Sequence, residues 1–303
     1  MPILVTEVIS CVSWDDFKSR IHREYSEEIV GISPLFRGHA KVEWKLASPW
    51  DRRLEHWAST SRSAKKDREG KNNILSKVLA DFKDLAIGLP GIRAKDLDND
   101  DDWWALGRHY GLLTPLLDWT KSPYVAAFFA FTGFVERVSP GATTSGEIDP
   151  RKLLCINNDD RVAIWSFMLS QSTEYDEEDP KDLQIEILSS RIDFGHRQRA
   201  QRGVFTRLTS NDHFDLESYL TSRRLMPPPL RKYTIPGAEA GKAIMELRMM
   251  NITFATLYPD LDGAALQANF ELAAFALTTF LPPSGFRISL RDGARDVLRK
   301  SDA

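Results

Sequence analysis

The longest apolar stretch of this 303-residue chain constrains its fold more than any other feature. From Tyr124 to Val135 the chain is apolar apart from one Thr and one Gly. A helix needs about 20 apolar residues to span a bilayer, so this shorter stretch predicts a buried helix and no membrane anchor. Ser122 and Pro123 precede it, as a helix N-cap and a first-turn proline do. A helix that is apolar on nearly every side belongs in a core.

The composition is that of a globular protein. Apolar residues make up 42% of the chain and charged residues 27%, which excludes a disordered chain, a fibrous repeat and a disulfide-stapled miniprotein. Cys11 and Cys155 are the only cysteines, and neither has the spacing of a metal or redox motif. The N-terminus lacks the basic start of a secretion signal. We therefore expect a reduced, cytoplasmic setting.

Apolar periodicity predicts strands and helices that alternate too irregularly for a doubly wound sheet. We expect an α+β fold, with a central mixed β-sheet flanked by helices in a single large domain. The predicted units are an N-terminal helical segment at 1–30, the domain at 31–280 and a polar C-terminal tail at 281–303. The first helix is predicted to begin at Ser13, and Asp102 is predicted to cap the helix before Gly111. Residues 112–121 are interpreted as a short connection between two helices. Strands are predicted at 35–38, 42–46, 153–156, 162–168, 183–188 and 203–208.

Charge is distributed unevenly, although the net charge is only −3. A whole-surface attraction to nucleic acid is not expected from that sum. We interpret the acidic clusters as solvated loops, and the basic cluster either as a phosphate-facing surface or as ion-pair partners of those loops. The acidic clusters are Asp96, Asp98, Asp100, Asp101 and Asp102, then Glu174, Asp176, Glu177, Glu178 and Asp179; the basic cluster is Arg191, Arg197, Arg199, Arg202 and Arg207.

Standard catalytic motifs are missing from the sequence, and no pair of its six histidines has zinc-ligand spacing. Three other segments concentrate unusual residues. In the first, strand alternation places Phe36 and Arg37 on opposite faces, and Gly38 leaves room for a ligand or for another backbone. The second, HYGLLT followed by LLDWT, brings together His109, Tyr110, Gly111, Thr114, Asp118 and Thr120. The third contains Arg197, Gln201, Gly203 and Phe205.

In this order the three segments resemble the FRG domain family, which is named for a Phe-Arg-Gly motif, here Phe36-Arg37-Gly38. The stretch HYGLLTPLLDWTKSPYVAAFFAF resembles the family's middle signature, except that Pro115 stands where the family usually carries Arg. If that Arg contacts substrate, a neighbour such as Arg108 must supply the charge. The third element resembles Arg-x-x-x-Gln-x-Gly-x-Phe, and LYPDLDG at 257–263 resembles a late Leu-Phe-Pro-Asp-Leu-Asp-Gly segment. The resemblance covers about residues 30–270.

The family resemblance implies a protein of bacteria or phages whose biochemistry is not fixed by its family. A role in phage defence, or as a toxin silenced by an antitoxin or another regulatory protein, is compatible with it. Only the side chains of the three segments can therefore indicate the activity.

Our preferred hypothesis is an ADP-ribosyltransferase-like reaction with NAD as the substrate and without a metal. Breaking the nicotinamide bond creates an oxocarbenium-like centre, which a fixed negative or polar group stabilises. The candidate catalytic residues are Arg37 for phosphate, Tyr110 for stacking, His109 and Asp118 for ribose or proton transfer, and Gln201 or Glu186 at the late position. The candidate cofactor-binding residues are Arg37, Gly38, Tyr110, Gly111, Thr114 and Thr120. RNA or a nucleotide acceptor is expected at Arg197, Arg199, Arg202 and Arg207.

Two other function classes stay open. A non-catalytic module could bind a nucleotide or a protein through Arg37 and the same Arg-rich surface. It differs from an enzyme in not needing a carboxylate that converges with Arg37 on one pocket. A phosphodiesterase or nuclease would require metal-binding carboxylates, and Asp260 and Asp262 come nearest, although both fit a turn beside Gly263 better.

Each candidate also has a purely structural interpretation. Arg37 and Asp118 could form a buried ion pair that joins the strand to the helix junction, and removing one partner would then be strongly destabilising. Asp118 could cap the helix that begins near Ser122, and Trp119 could simply belong to the core. His109 is favoured at a helix C-terminus by the helix dipole, whatever its function.

Overall fold

A computed structural model describes residues 6–26, 34–60, 69–89, 97, 99–138, 159–168, 183–188, 196–210, 212–223 and 229–280. These residues form a seven-stranded mixed β-sheet with helices packed on it. The strands are β1 (Thr6–Ser10), β2 (Leu35–His39), β3 (Leu116–Thr120), β4 (Arg161–Phe167), β5 (Ile185–Leu188), β6 (Gly203–Leu208) and β7 (Leu230–Pro236). Their order is β1-β7-β4-β2-β3-β6-β5; β1 and β7 are parallel and all other neighbours are antiparallel. The predicted α+β fold is confirmed.

The helices differ in length and in depth of burial. They are α1 (Trp14–Ser26), α2 (Pro49–Thr60), α3 (Glu69–Ala86), α4 (Asp100–His109), α5 (Pro123–Val138), α6 (Arg197–Ala200), α7 (Leu216–Arg223), α8 (Ala240–Met249), α9 (Phe254–Leu257) and α10 (Leu261–Phe280). Ser13 precedes α1 and accepts a hydrogen bond from the backbone of Asp16, so the predicted start of that helix is confirmed.

Packing around α5 forms the largest core. One cluster contains buried residues of α1, α5 and α8 together with Phe36, Ile164 and Tyr233 of the sheet. A second cluster contains Leu35, which alternates with Phe36 along β2, and buried residues of α7. A third packs α3 and α4 against β3. Helices therefore cover both faces of the sheet, and the predicted burial of the 124–135 stretch is confirmed.

Gly38 is where α5 comes closest to the sheet. A Cβ atom at this position would lie 1.9 Å from the carbonyl oxygen of Ala126 and 2.8 Å from the backbone nitrogen of Ala130. The space beside Gly38 is thus filled by another backbone, which was one of the two expectations for this glycine. A side chain here would push the central helix off the sheet.

One predicted strand is absent, one predicted connection contains a strand, and one predicted helix N-cap is wrong. Residues 42–46 are not a strand, because the chain turns after His39 and Trp44 donates a backbone hydrogen bond to Lys41. Residues 112–121 contain β3, whose pairing partner β6 lies far away in the sequence. The N-cap of α4 is Asn99 instead of Asp102, since the side chain of Asn99 accepts the backbone N–H of Asp102 at 3.0 Å. The three aspartates that follow occupy the first turn, where the helix dipole favours them.

Some elements had no sequence prediction. Helix α2 begins at Pro49 behind Ser48, whose hydroxyl accepts a hydrogen bond from the Asp51 backbone at 3.0 Å. The predicted N-terminal segment 1–30 contains β1 as well as α1, and β1 pairs in register with β7. The predicted strand at 153–156 and the predicted tail at 281–303 lie outside the described residues.

Candidate functional site

Strands β2 and β3 diverge in the middle of the sheet. They share a single register pair, Phe36 with Thr120, whereas β2 pairs with β4 along its whole length. The Arg37 guanidinium bridges the two strands beyond that pair, because its Nη1 donates a hydrogen bond to the Asp118 carbonyl oxygen at 2.6 Å. A side chain thus replaces a backbone contact at the point where the sheet opens.

The Asp118 carboxylate binds two guanidinium groups at this opening. Arg108, near the C-terminal end of α4, donates to both oxygens: Nε to Oδ1 at 3.1 Å and Nη2 to Oδ2 at 2.7 Å. Arg37 Nη1 lies 3.6 Å from Oδ2. The Asp118 side chain is nevertheless 38% exposed, so the carboxylate is open to solvent where the two strands diverge. The structure therefore shows the Arg37–Asp118 ion pair that the sequence left as an alternative.

Charge at the opening is dominated by arginine. Burial acts to raise the pKa of Asp118, but Arg108 and Arg37 outweigh it and hold that pKa below the ordinary value. Burial lowers the pKa of Arg37 and of Arg52 on α2, and the guanidinium groups also repel one another. Within the described part of the chain, Arg52 has no carboxylate in ion-pair contact; its Nη1 donates to the Ala47 carbonyl oxygen at 2.8 Å. We call Arg37, Arg52, Arg108 and Asp118 the arginine recess.

His39 orients Arg37 and was not among the sequence candidates. Its ring is 3% exposed, and burial, together with the charge of Arg37, lowers its pKa to about 2. A guanidinium can only donate, so His39 Nε2 accepts the hydrogen bond from Arg37 Nε at 3.0 Å. On the other side of the ring, Trp165 Nε1 donates to His39 Nδ1 at 3.2 Å. His39 is therefore a neutral positioning residue, and its place two residues after Arg37 on one strand is the signal that could have revealed it.

A second cluster fixes the turn that follows α9. Arg197 Nε donates to Asp260 at 2.5 Å and Nη2 donates to Asp262 at 2.8 Å. The same guanidinium lies over the Tyr258 ring, 5.0 Å from its centre. Because a Cβ atom on Gly263 would lie 1.8 Å from the Tyr258 carbonyl oxygen, the turn is closely packed. Asp260 is a turn residue, as expected, whereas Asp262 lies in the first turn of α10; both are bound to Arg197.

Tyr258 follows α9 at the start of this turn. Burial raises the pKa of its phenol, and the charges of Asp118, Arg197 and Arg108 also act on it. The sequence singles out Tyr258 only as part of the LYPDLDG segment, because nothing local connects it to Asp118, which is 140 positions away (258 − 118).

His109 and Tyr110 form the rim beside both clusters. Their rings meet edge to face, with centres 4.8 Å apart, and Tyr110 is 69% exposed. Burial lowers the pKa of His109, and Arg197 lowers it further, so the imidazole is mainly neutral at pH 7. Gly111 ends α4 with φ of +87°. Glycine is favoured at this position by the positive φ and not by a lack of space, since nothing lies within 4 Å of the position that a Cβ atom would take.

Gln201, Thr120 and Thr114 have structural contacts. Thr120 donates its hydroxyl to the Gln201 carbonyl oxygen at 2.6 Å, and the Gln201 amide donates to the Leu257 carbonyl oxygen at 3.1 Å. These bonds join β3, α6 and α9 behind the rim. Thr114 is fully buried, and its hydroxyl has no hydrogen-bond partner among the described residues.

Glu186 is bound to Arg207 on the neighbouring strand β6, at 2.6 Å from Oε2 to Nε, and Arg207 also binds Asp101 at 2.6 Å. Arg207 thus pairs with Asp101 of the first acidic cluster, as the ion-pair interpretation predicted. Arg197 pairs instead with Asp260 and Asp262, which belong to neither cluster. Strand β6 separates Glu186 from β3. Glu186 therefore belongs to the edge of the sheet and not to the arginine recess.

The fold and the site define an α+β protein with an arginine-lined recess where its central strands separate. Residues 33–136 match the model of the FRG domain, which confirms the resemblance found in the sequence over that segment. All four residues of the arginine recess lie inside the matched segment. Searches of curated proteins and of solved structures found no match.

Two general properties of the described residues bear on function. None of their helices combines the length and apolar character that crossing a bilayer requires. Among the same residues, no three His, Cys, Asp or Glu side chains come together as a metal-binding group.

Proposed function

We propose that the arginine recess binds the pyrophosphate of NAD and that the protein transfers ADP-ribose from it. One observation supports this more than any other: two guanidinium groups bind a single, partly exposed carboxylate, and a third, that of Arg52, interacts electrostatically with the same carboxylate. Arginine binds phosphate through paired N–H donors and keeps its charge at every physiological pH. An excess of positive charge in a recess attracts an anion, even on a chain with a net charge of −3.

The chemistry is helped by a negative group near the ribose, and Asp118 is the carboxylate available for it in the arginine recess. The bond between the ribose C1′ and the nicotinamide nitrogen breaks, and its electron pair leaves with nicotinamide. The acceptor's nucleophile then bonds to C1′ and loses its proton. Because Arg108 and Arg37 hold the pKa of Asp118 low, this side chain is ionised at neutral pH and a poor proton acceptor. Its role in the proposal is to stabilise the oxocarbenium-like centre electrostatically.

The rim supplies the remaining groups. The exposed ring of Tyr110 offers a face on which nicotinamide or adenine can stack. The mainly neutral imidazole of His109 can accept a hydrogen bond from a ribose hydroxyl. The acceptor is a nucleic acid or a protein, and the setting is a toxin or phage-defence system controlled by a partner protein.

Calorimetric titration of the full chain with NAD tests the binding step. We expect a dissociation constant in the micromolar to low-millimolar range. Replacing Arg52 by Ala should weaken it about tenfold, the usual loss for a hydrogen bond to a charged group. Arg53→Ala is the matched control: Arg53 follows Arg52 on α2 but lies over the Trp57 ring, so binding should be unchanged. If folded wild-type protein does not bind NAD, the proposed chemistry is wrong.

A non-catalytic nucleotide-binding module is the second candidate. The bidentate Arg108–Asp118 pair favours it, because a carboxylate that is already bound by Arg108 is less available to a ribose. Such a module would bind NAD or another nucleotide without releasing nicotinamide.

A further inference from the structure

The Tyr258 side chain is held rigidly beside the arginine recess. Its ring meets Phe129 edge to face at 6.2 Å between centres and packs against Phe254 at 6.3 Å. The Arg197 guanidinium covers the ring, and Gly263 packs closely against the Tyr258 carbonyl group. These contacts all involve the ring or the backbone and leave the phenol hydroxyl out.

The hydroxyl itself has no hydrogen-bond partner among the residues that the structure describes, although hydroxyl groups of partly buried tyrosines usually find one. The side chain is only partly buried. Thr120 lies two residues after Asp118 on β3, so their side chains share one face of the sheet. Thr120 is joined through Gln201 to the carbonyl oxygen of Leu257, the residue before Tyr258. The charges of Arg108 and Asp118 also act on the phenol. A rigid ring therefore presents a free hydroxyl next to the recess.

We propose that the Tyr258 hydroxyl donates a hydrogen bond to a phosphate oxygen of the ligand bound by Arg37 and Arg108. This inference rests on the proposed function only in requiring an anionic ligand in the recess. Burial raises the pKa of Tyr258, so the phenol keeps its proton at neutral pH and is available as a donor. A phosphate oxygen in a recess with excess positive charge is the acceptor that this donor lacks.

The experiment compares Tyr258→Phe with the wild-type chain in calorimetric titrations with inorganic pyrophosphate and with ADP-ribose. Phe keeps the ring contacts and removes only the hydroxyl. We expect about tenfold weaker binding of both probes, as for the loss of one hydrogen bond to a charged group. The melting temperature should stay close to that of the wild type. Tyr124→Phe is the control, because the Tyr124 ring packs against Trp14, with 6.1 Å between the ring centres. Removing the Tyr124 hydroxyl should leave both affinities unchanged.

A third variant, Arg108→Gln, separates this inference from the proposed function. If the wild type binds the probes and Arg108→Gln does not, the recess is an anion site. In that case an unchanged affinity of Tyr258→Phe overturns the role of the hydroxyl and leaves the recess in place. If the wild type binds neither probe, both proposals are wrong.

The two probes also show which part of the ligand the hydroxyl contacts. If the binding of pyrophosphate and of ADP-ribose weakens together in Tyr258→Phe, the contact is to phosphate. If only the binding of ADP-ribose weakens, the contact is to sugar or base, and the proposal as stated is wrong.

Discussion

The Asp118 carboxylate would compete with a bound phosphate for Arg37 and Arg108. It binds the same donors that an anionic ligand needs. The pair is present at neutral pH because the pKa of Asp118 is lowered. Its contribution to stability exists above the carboxyl's unfolded pKa and is lost as the pH falls through the lower folded value. At neutral pH a ligand must therefore displace or share this carboxylate.

Replacing Asp118 by Asn should tighten binding of inorganic pyrophosphate by about fivefold, equivalent to about 1 kcal/mol, because the competing negative charge is gone. Nicotinamide release from NAD should fall in the same variant, because the charge that stabilises the oxocarbenium-like centre is missing. Calorimetry and a turnover assay on protein with a native circular dichroism spectrum measure both effects. Weaker pyrophosphate binding by folded Asp118→Asn would show that the carboxylate mainly positions the arginines.

At the scale of elements, the close approach of α5 to β2 is what keeps the Phe-Arg-Gly strand in place. The Gly38→Ala substitution should lower the free energy of unfolding by about 2 kcal/mol or more, because the new methyl group overlaps the backbone of Ala126. Gly241→Ala on α8 is the matched control. No atom lies within 4 Å of its missing Cβ, so the free energy of unfolding should rise by about 0.5–1 kcal/mol. Urea unfolding measures both, and equal effects would contradict the packing argument.

The elements also show how far the sequence could predict the fold. Helix α5 was predictable because its apolar run leaves few alternatives, and β4 and β6 because their apolar residues are bounded by turn signals. Strand β3 was not, since its five residues gain strand geometry from pairing with β6, a partner outside any local pattern. The recess follows the same rule. Arg37 and Asp118 are candidates from the sequence, and His39 could be found from its place on the strand of Arg37, but Arg52 and Tyr258 enter only through tertiary packing.

At the scale of the whole molecule, the FRG segment cannot form the sheet alone. Among the residues that the structure describes, the matched segment 33–136 contributes β2 and β3 and no other strand. Each of these strands has its main partner outside that segment: β4 for β2 and β6 for β3. The recess residues therefore lie in one continuous segment, whereas the strands that fix β2 and β3 in the sheet come from the rest of the chain. The second cluster, around Arg197 and Tyr258, comes from the rest of the chain as well.

Release of nicotinamide from NAD by the purified full chain, followed by chromatography in the presence and absence of candidate acceptors, tests the central claim most directly. We predict release by the wild type and a loss of at least about tenfold in Arg37→Ala that retains its fold, whereas Arg53→Ala releases nicotinamide at the wild-type rate. Binding of NAD with no release under any of these conditions would contradict the transferase proposal and favour a nucleotide-binding module.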